Sequence, residues 1–446
     1  VAAEKNIATP PDVLKNVRLF IYLFGAVSHH RWNQSYDESS FSCVFFKLVK
    51  AFKHKMTRLE KSGPRFIMVG GFLGAGKTTT LLRLAHWIQQ SGKKVGIVTN
   101  DQAAGLVDTE LIGELDLPVR EITGGCFCCN SESLVDALKR LSQENKPDVF
   151  IAEPVGSCTD LIATVSLPLQ QIYNTGFSMA PYAVVVDPYR AMQCLGIGRG
   201  PSFATDVKYI YRKQLEEAEI IVINKADVFP DHFLAQLMQA LSTQYPDTRI
   251  MVAAARDGLG LPELFAELLS RDSHPQGIMD VDYERYARGE ALLGWYNGKF
   301  SIEPGPAEFD GNAWILRIAD RVREELQRSG IEIAHFKMSL AHGTGAEGLA
   351  KPKRKSAKAA QDEAGNLAAV SLVNSSDKAE LRRTLKGPLS TGILTVNLRA
   401  EGAPDFMAET VRDVLNHSQA GVRVECLGEE WFRPAPPSPT YRVCGV

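Results

Sequence analysis

Long apolar runs are missing from this 446-residue chain. None approaches the ~20 residues that a membrane-spanning helix requires. Leu19 to Val27 is apolar but too short, and no cleavage site of the signal-peptide kind follows it. A surplus of charge is missing too: the formal net charge is -2, which gives no bulk attraction to nucleic acid or to a membrane surface. Cysteine is sparse for a disulfide scaffold, with eight in the whole chain. Three of them, however, crowd into positions 126 to 129, which points to metal or redox chemistry in a reducing compartment. The expected location is therefore the cytoplasm, with neither membrane nor nucleic acid as partner. What remains is ordinary for a globular protein, 45% apolar and 23% charged, and the length suffices for two domains.

No methionine precedes Met56. A short charged lead, Thr57 to Pro64, follows it and runs into an apolar strand. The natural start is expected at or near Met56, with residues 1–62 a poorly ordered extension. An amphipathic targeting arm is the competing reading, since Arg18, Lys47, Lys50 and Lys53 are interleaved with Phe and Leu. Acidic residues in the same stretch argue against it.

The most informative stretch is Gly70-Gly71-Phe72-Leu73-Gly74-Ala75-Gly76-Lys77-Thr78-Thr79-Thr80. Phe66–Val69 before it reads as a buried strand, and Leu81–Gln90 after it as a helix. Gly71, four residues, then Gly76-Lys77-Thr78 fit the phosphate-loop pattern in its strand–loop–helix setting. Backbone N–H groups from Gly71 through Gly74, Ala75, Gly76, Lys77, Thr78 and Thr79 are expected to cradle phosphate oxygens, helped by the positive end of the helix. Lys77 reaches for the terminal phosphates and the Thr78 hydroxyl for Mg²⁺.

Strands then alternate with helices to about residue 270. The strands are Val95–Thr99, Val119–Ile122, Val149–Ala152, Ala183–Val186, Ile220–Ile223 and Ile250–Ala253. Intervening helices include Ser133–Leu141, Tyr209–Ala218 and His232–Gln244. Continuous apolar strands mark a parallel sheet covered on both faces, so the fold class is α/β: a doubly wound P-loop NTPase, with its ligand at the carboxyl ends of the strands.

Four of the loops at those ends carry chemistry. Asp101 closes the second strand, where its carboxylate either faces the γ-phosphate and its magnesium or serves an ordinary turn. Gly124-Gly125-Cys126-Phe127-Cys128-Cys129 places three soft ligands in one turn, suited to Zn²⁺ or another thiophilic ion, with a Cys126–Cys129 redox couple as competitor. Glu153 ends an apolar strand in the Walker B manner and is expected to hold Mg²⁺ or orient the attacking water. Asn224-Lys225-Ala226-Asp227 follows another buried strand and reads as a guanine-recognition motif. The Asp227 carboxylate would accept from guanine's N1–H and 2-amino groups, which adenine lacks.

In this order the motifs resemble the CobW/HypB/UreG family of P-loop GTPases, most closely its CobW-like branch, over roughly residues 65–270. The resemblance implies a metallochaperone. It implies GTP and Mg²⁺ at Lys77, Thr78 and Glu153, guanine at Asn224 and Asp227, and zinc, cobalt, nickel or iron at Cys126, Cys128 and Cys129. Two departures stand out: Asn100-Asp101-Gln102-Ala103 replaces the family's Asn-Glu-Phe-Gly-like run, and the long His-rich stretch of some members is absent, the nine histidines being scattered.

The expected domain order is an extension (1–62), a P-loop GTPase domain (63–278) and a smaller α+β domain (279–446), the last with a split βαβ character and a polar insert at 343–366. Lys351-Pro352-Lys353-Arg354-Lys355 reads as a solvated charge run, and Pro434–Pro439 as an extended tail. No catalytic constellation is legible after residue 279, so client contact is the expected role there. The whole reads as a GTP-hydrolysing metallochaperone serving a client metalloprotein. No arginine finger is evident in the switch loops, so intrinsic turnover is expected to be slow, and a partner, an ion or a second subunit in a homodimer is expected to supply the missing charge. A regulatory GTPase with a thiol sensor, and a zinc-storage protein, are the rival functions.

Overall fold

The computed structural model describes residues 63–100, 117–122, 125–198, 202–275, 277–305, 309–343, 367–417 and 421–444. Asp101, the extension 1–62 and the basic run at 351–355 lie outside them, as does all but the first residue of the polar insert. The compact unit that begins at Arg58 holds two sheets.

The first sheet contains β1 (Arg65–Gly70), β2 (Val95–Asn100), β3 (Val119–Ile122), β4 (Val149–Glu153), β5 (Ser178–Met179), β6 (Ala183–Val186), β7 (Ile220–Ile223) and β8 (Arg249–Val252). Its order is β3-β2-β4-β1-β6-β7-β8, with β5 paired to the start of β1, and every pairing is parallel. β1, β6 and β7 are buried at every position, because helices cover both faces. Those helices are α1 (Lys77–Gln90), α2 (Ser131–Asn145), α3 (Leu167–Gln171, entered through a π-turn), α4 (Pro188–Cys194), α5 (Thr205–Glu216), α6 (Asp231–Gln244), α7 (Leu261–Ser270) and α8 (Tyr283–Leu292). α4 starts at Pro188, and the Asp187 carboxylate before it caps the helix by accepting from the Arg190 N–H.

The second sheet is antiparallel: β9 (Leu293–Pro304), β10 (Ile333–His342), β11 (Leu367–Leu372), β12 (Glu380–Arg383), β13 (Gly392–Glu401) and β14 (Val422–Phe432), in the order β12-β11-β10-β13-β9-β14. α9 (Gly311–Arg328) links β9 to β10, and α10 (Pro404–His417) links β13 to β14. Each helix joins two strands that have a third between them, which is the split βαβ arrangement. Both helices pack on one face, forming a core with Tyr296, Phe300, Phe336, Met338, Leu394 and Val396. By the period of two, Trp295, Asn297, His335, Lys337, Asn397 and Arg399 stand on the other face.

That other face packs on the parallel sheet's layer. Arg190 of α4 is the chief clasp. Its guanidinium meets Glu332 at 2.8 Å, donates to the carbonyls of Ile333 (2.9 Å) and Val373 (2.8 Å), and lies over the Phe203 ring. Glu401 accepts from the Ala204 N–H ahead of α5. Trp295 and Ala334 belong to the first sheet's hydrophobic core rather than the second's.

Candidate nucleotide and metal site

β1 ends in the phosphate loop. Gly76 takes a φ of 97° and its position leaves no room for a side chain, since a Cβ there would stand 2.3 Å from Asn224 Nδ2. The loop is tied to the Asn224–Asp227 segment: Asn224 Nδ2 donates to Ala75 O at 2.9 Å and Lys225 Nζ to Gly74 O at 2.9 Å. Asn224 Oδ1 in turn accepts from Ala255 N, so three loops are locked together by one buried amide. Lys225 also meets Asp187 at 2.7 Å. Burial raises the Asp187 pKa, but the Lys225 charge and hydrogen bonds outweigh it and hold the carboxyl below its ordinary value.

Thr78 Oγ1 donates to Glu153 Oε1 at 2.8 Å. A hydroxyl from the phosphate loop and the carboxylate closing β4 thus meet at one point, and both are hard oxygen donors suited to Mg²⁺. Lys77 is buried beside them, with Nζ 3.4 Å from Phe72 O. Gly156 comes so close that a Cβ there would lie 3.0 Å from that Nζ. Asp227 meets Arg256 at 3.2 Å, and Arg256 also pairs with Glu380 of β12 at 3.1 Å. A base seated on Asp227 must therefore share or displace that guanidinium.

These residues line a single cavity of about 450 Å³ that includes Gly74, Gly76, Lys77, Thr78, Thr79, Glu153, Asn224, Lys225 and Asp227. Gly71 lies behind it, against the Val185 carbonyl, and Ala75 contributes its carbonyl to Asn224. The cavity has a second wall that the sequence did not disclose: Trp295, His335, Lys337, Asn397 and Arg399 of the antiparallel sheet also line it. The C-terminal part of the chain, for which client contact was expected, thus also lines the cavity of the phosphate loop.

The three cysteines come together as expected. Their sulfurs all lie within 4.8 Å of one another. The Cys129 N–H donates to Cys126 O at 3.1 Å and the Asn130 N–H to the same oxygen at 2.9 Å, curling the loop just before α2. Cys129 Sγ stands 3.2 Å from Cys126 Sγ and 3.6 Å from Cys128 Sγ, close to the ~3.8 Å that separates two thiolates on one tetrahedral zinc. Cys126 and Cys128 are joined as a disulfide, not the Cys126–Cys129 couple weighed from the sequence. Burial pushes the Cys129 thiol up; a hydrogen bond from Ser438 N (3.2 Å) pulls it back, and the Glu290 charge raises it further. That bond belongs to a second feature without sequence signal. The tail crosses the cysteine loop, with Thr440 N donating to Cys128 O (2.9 Å) and Thr440 Oγ1 to Cys129 O (3.1 Å). Arg442 anchors it on Asp160 at 2.7 Å.

One side chain joins the two centres. Asn100, at the end of β2, lines the nucleotide cavity. Its Nδ2 donates to Ile122 O at 3.1 Å and to Gly125 O at 2.7 Å, the residue just before Cys126.

Comparison with known proteins agrees with this geometry. Residues 65–252 match the family described as CobW/HypB/UreG, nucleotide-binding domain. The zinc chaperone YeiR of Escherichia coli is 29% identical over 164 residues, 36% of this chain and 46% of that protein. The zinc chaperone YjiA of the same organism is 35% identical over 96 residues, 21% of this chain and 30% of that protein. The zinc chaperone CobW of Sinorhizobium is 25% identical over 206 residues, 42% and 58% respectively. The chain thus spans less than two thirds of the length of each of these relatives. A crystal structure of Zn(II)-bound YjiA GTPase covers 80% of this chain at 15% identity, with a TM-score of 0.32, too low to carry weight. Among the described residues no helix is long and apolar enough to cross a membrane. Motif order, sheet topology and family match together liken residues 65–252 to the nucleotide-binding domain of the CobW/HypB/UreG family.

Proposed function

We propose that the chain is a GTP-hydrolysing metallochaperone. It binds GTP with Mg²⁺ in the cavity above the phosphate loop, takes a transition metal, zinc first, on Cys126, Cys128 and Cys129, and passes it to a client metalloprotein under nucleotide control. Lys77 and the loop N–H groups hold the phosphates; Thr78 and Glu153 hold Mg²⁺, which supplies charge neutralisation on the phosphate oxygens. Asn224 fixes the loop, and Asp227 selects guanine. The metal is cargo, and it needs three thiolates, so the Cys126–Cys128 bond must be reduced before loading.

The observation that carries this reading is the Asn100 link. A residue on the wall of the nucleotide cavity holds the carbonyl next to Cys126. A change at the terminal phosphate that moves the end of β2 therefore moves the cysteine loop. Two variants test the parts. Lys77→Ala is expected to abolish GTP turnover, and full turnover would remove the phosphate-loop assignment. The triple Cys126/Cys128/Cys129→Ser variant is expected to lose tight zinc binding; unchanged affinity would remove the metal assignment.

The closeness of the three sulfurs also supports a second reading, a GTPase switch whose cysteines sense oxidants. Metal analysis of protein purified under reducing conditions separates the two. Stoichiometric thiolate-bound metal supports delivery, and a metal-free, oxidant-sensitive pair supports sensing.

A further inference from the structure

The register of the antiparallel sheet sets two polar rows facing the phosphate loop. Arg399 stands opposite Trp295 on one side and His335 on the other. Lys337 stands opposite Asn397 and Ser371. All of these line the same cavity as Lys77, Thr78 and Glu153. A polar face directed at water needs no explanation, but this one lines the cavity that holds the phosphate loop.

Charge converges there from both sheets. Burial, and then the charges of Lys337, Arg399, Lys77 and Lys225, keep the His335 imidazole neutral. Two cations from each layer thus act on one point. His335 Nε2 is buried and has no hydrogen-bond partner among the described residues. Arg399 is fixed in place: it donates to the carbonyls of Tyr296 and Leu398, each at 3.0 Å, and lies 3.9 Å over the Trp295 ring. Lys225 is already paired with Asp187. A cavity lined by Lys337 and Arg399 on one side and Lys77 on the other is suited to a polyanion.

We propose that Lys337 and Arg399 form the second half of the nucleotide site and take the terminal phosphate of the bound nucleoside triphosphate. The antiparallel sheet then distinguishes triphosphate from diphosphate and supplies, within the same chain, the charge that an arginine finger supplies elsewhere. In hydrolysis, the water oxygen bonds to the γ-phosphorus, and the bond from that phosphorus to the bridging oxygen breaks. Its electron pair stays on GDP, and the water's protons leave with inorganic phosphate and solvent. Lys337 and Arg399 offset the negative charge on the transferring group, and the contact is lost once phosphate departs.

This inference rests on the GTP reading of the phosphate loop, and the test separates the two. On the full reduced chain, affinities for GDP and for a non-hydrolysable GTP analogue are measured for Lys337→Gln, Lys337→Arg and Lys77→Ala. Lys337 is half-buried on a strand surface, so its variants are expected to fold. Lys337→Gln is expected to weaken the analogue at least tenfold and GDP less than twofold, with turnover falling at least tenfold; Lys337→Arg is expected to restore most of both. Equal changes for the two nucleotides, or none, overturn the proposal. Lys77→Ala is expected to weaken both nucleotides; if it weakens neither, the phosphate-loop reading fails instead. Arg399 is packed into the sheet, so Arg399→Lys is read only through the ratio of the two affinities, which must shift in the same direction.

Discussion

Replacing Arg190 by Met should loosen the chain where its two sheets meet. The guanidinium and the Glu332 carboxylate are 3% and 7% exposed, and 2.8 Å apart. Methionine matches the aliphatic stem but leaves Glu332 charged, desolvated and alone. Breaking a buried pair from one side costs about 3–5 kcal/mol. The carbonyls of Ile333 and Val373 lose their donors at the same time, but that loss overlaps the first and is not added to it. The assay is urea unfolding followed by tryptophan fluorescence, because Trp295 of the second sheet is buried in the first sheet's hydrophobic core. The double variant Arg190→Met/Glu332→Leu removes the stranded charge, so it should recover at least about 1 kcal/mol of the loss. A single variant that costs less than about 1 kcal/mol, or a double variant no more stable than the single, would refute the reasoning.

Two further outcomes follow from the site. Burial raises the Glu290 pKa from 4.5 to about 7, against a smaller opposing contribution from Ser157. Between those values the unfolded chain ionises while the native state does not. Stability is therefore full below about pH 4.5 and declines as pH rises through about 7, by up to about 3 kcal/mol. Glu290→Gln should thus melt with the parent at pH 4.5 and above it at pH 8; the same offset at both pH values would contradict this. Asp227→Asn should weaken GTP binding at least tenfold, because an amide presents a donor where guanine offers its own; unchanged affinity in a nucleotide titration would show that the base is read elsewhere.

The parallel sheet was legible because three of its strands carry unbroken apolar runs. Phe66–Val69, Ala183–Val186 and Ile220–Ile223 are buried on both faces, and nothing polar interrupts them. The phosphate loop and Asn224-Lys225-Ala226-Asp227 were legible because their spacing is local. The second wall of the cavity was not. Trp295 and Asn297, His335 and Lys337, Asn397 and Arg399 alternate with core residues in the way of any half-solvated strand, and a period of two does not say whether water or a ligand lies beyond the polar side. The tail across Cys128 and Cys129 was hidden for another reason. The Ser438 N–H and the Thr440 hydroxyl reach Cys129 from some 310 residues away in sequence, and no local pattern announces it. β12 escaped notice because Glu380-Leu381-Arg382-Arg383 is short and charged, and it sits at the sheet's edge.

Coupling between the two centres is the claim on which everything functional here depends, and zinc affinity measured with each nucleotide bound tests it most directly. The reduced chain is titrated in competition with a chromophoric chelator, once with GDP and once with a non-hydrolysable GTP analogue, both with Mg²⁺. The Asn100 contact to Gly125 predicts affinities that differ at least tenfold, about 1.4 kcal/mol. Identical affinities in the two states would contradict it, even if zinc and nucleotide each bind where proposed.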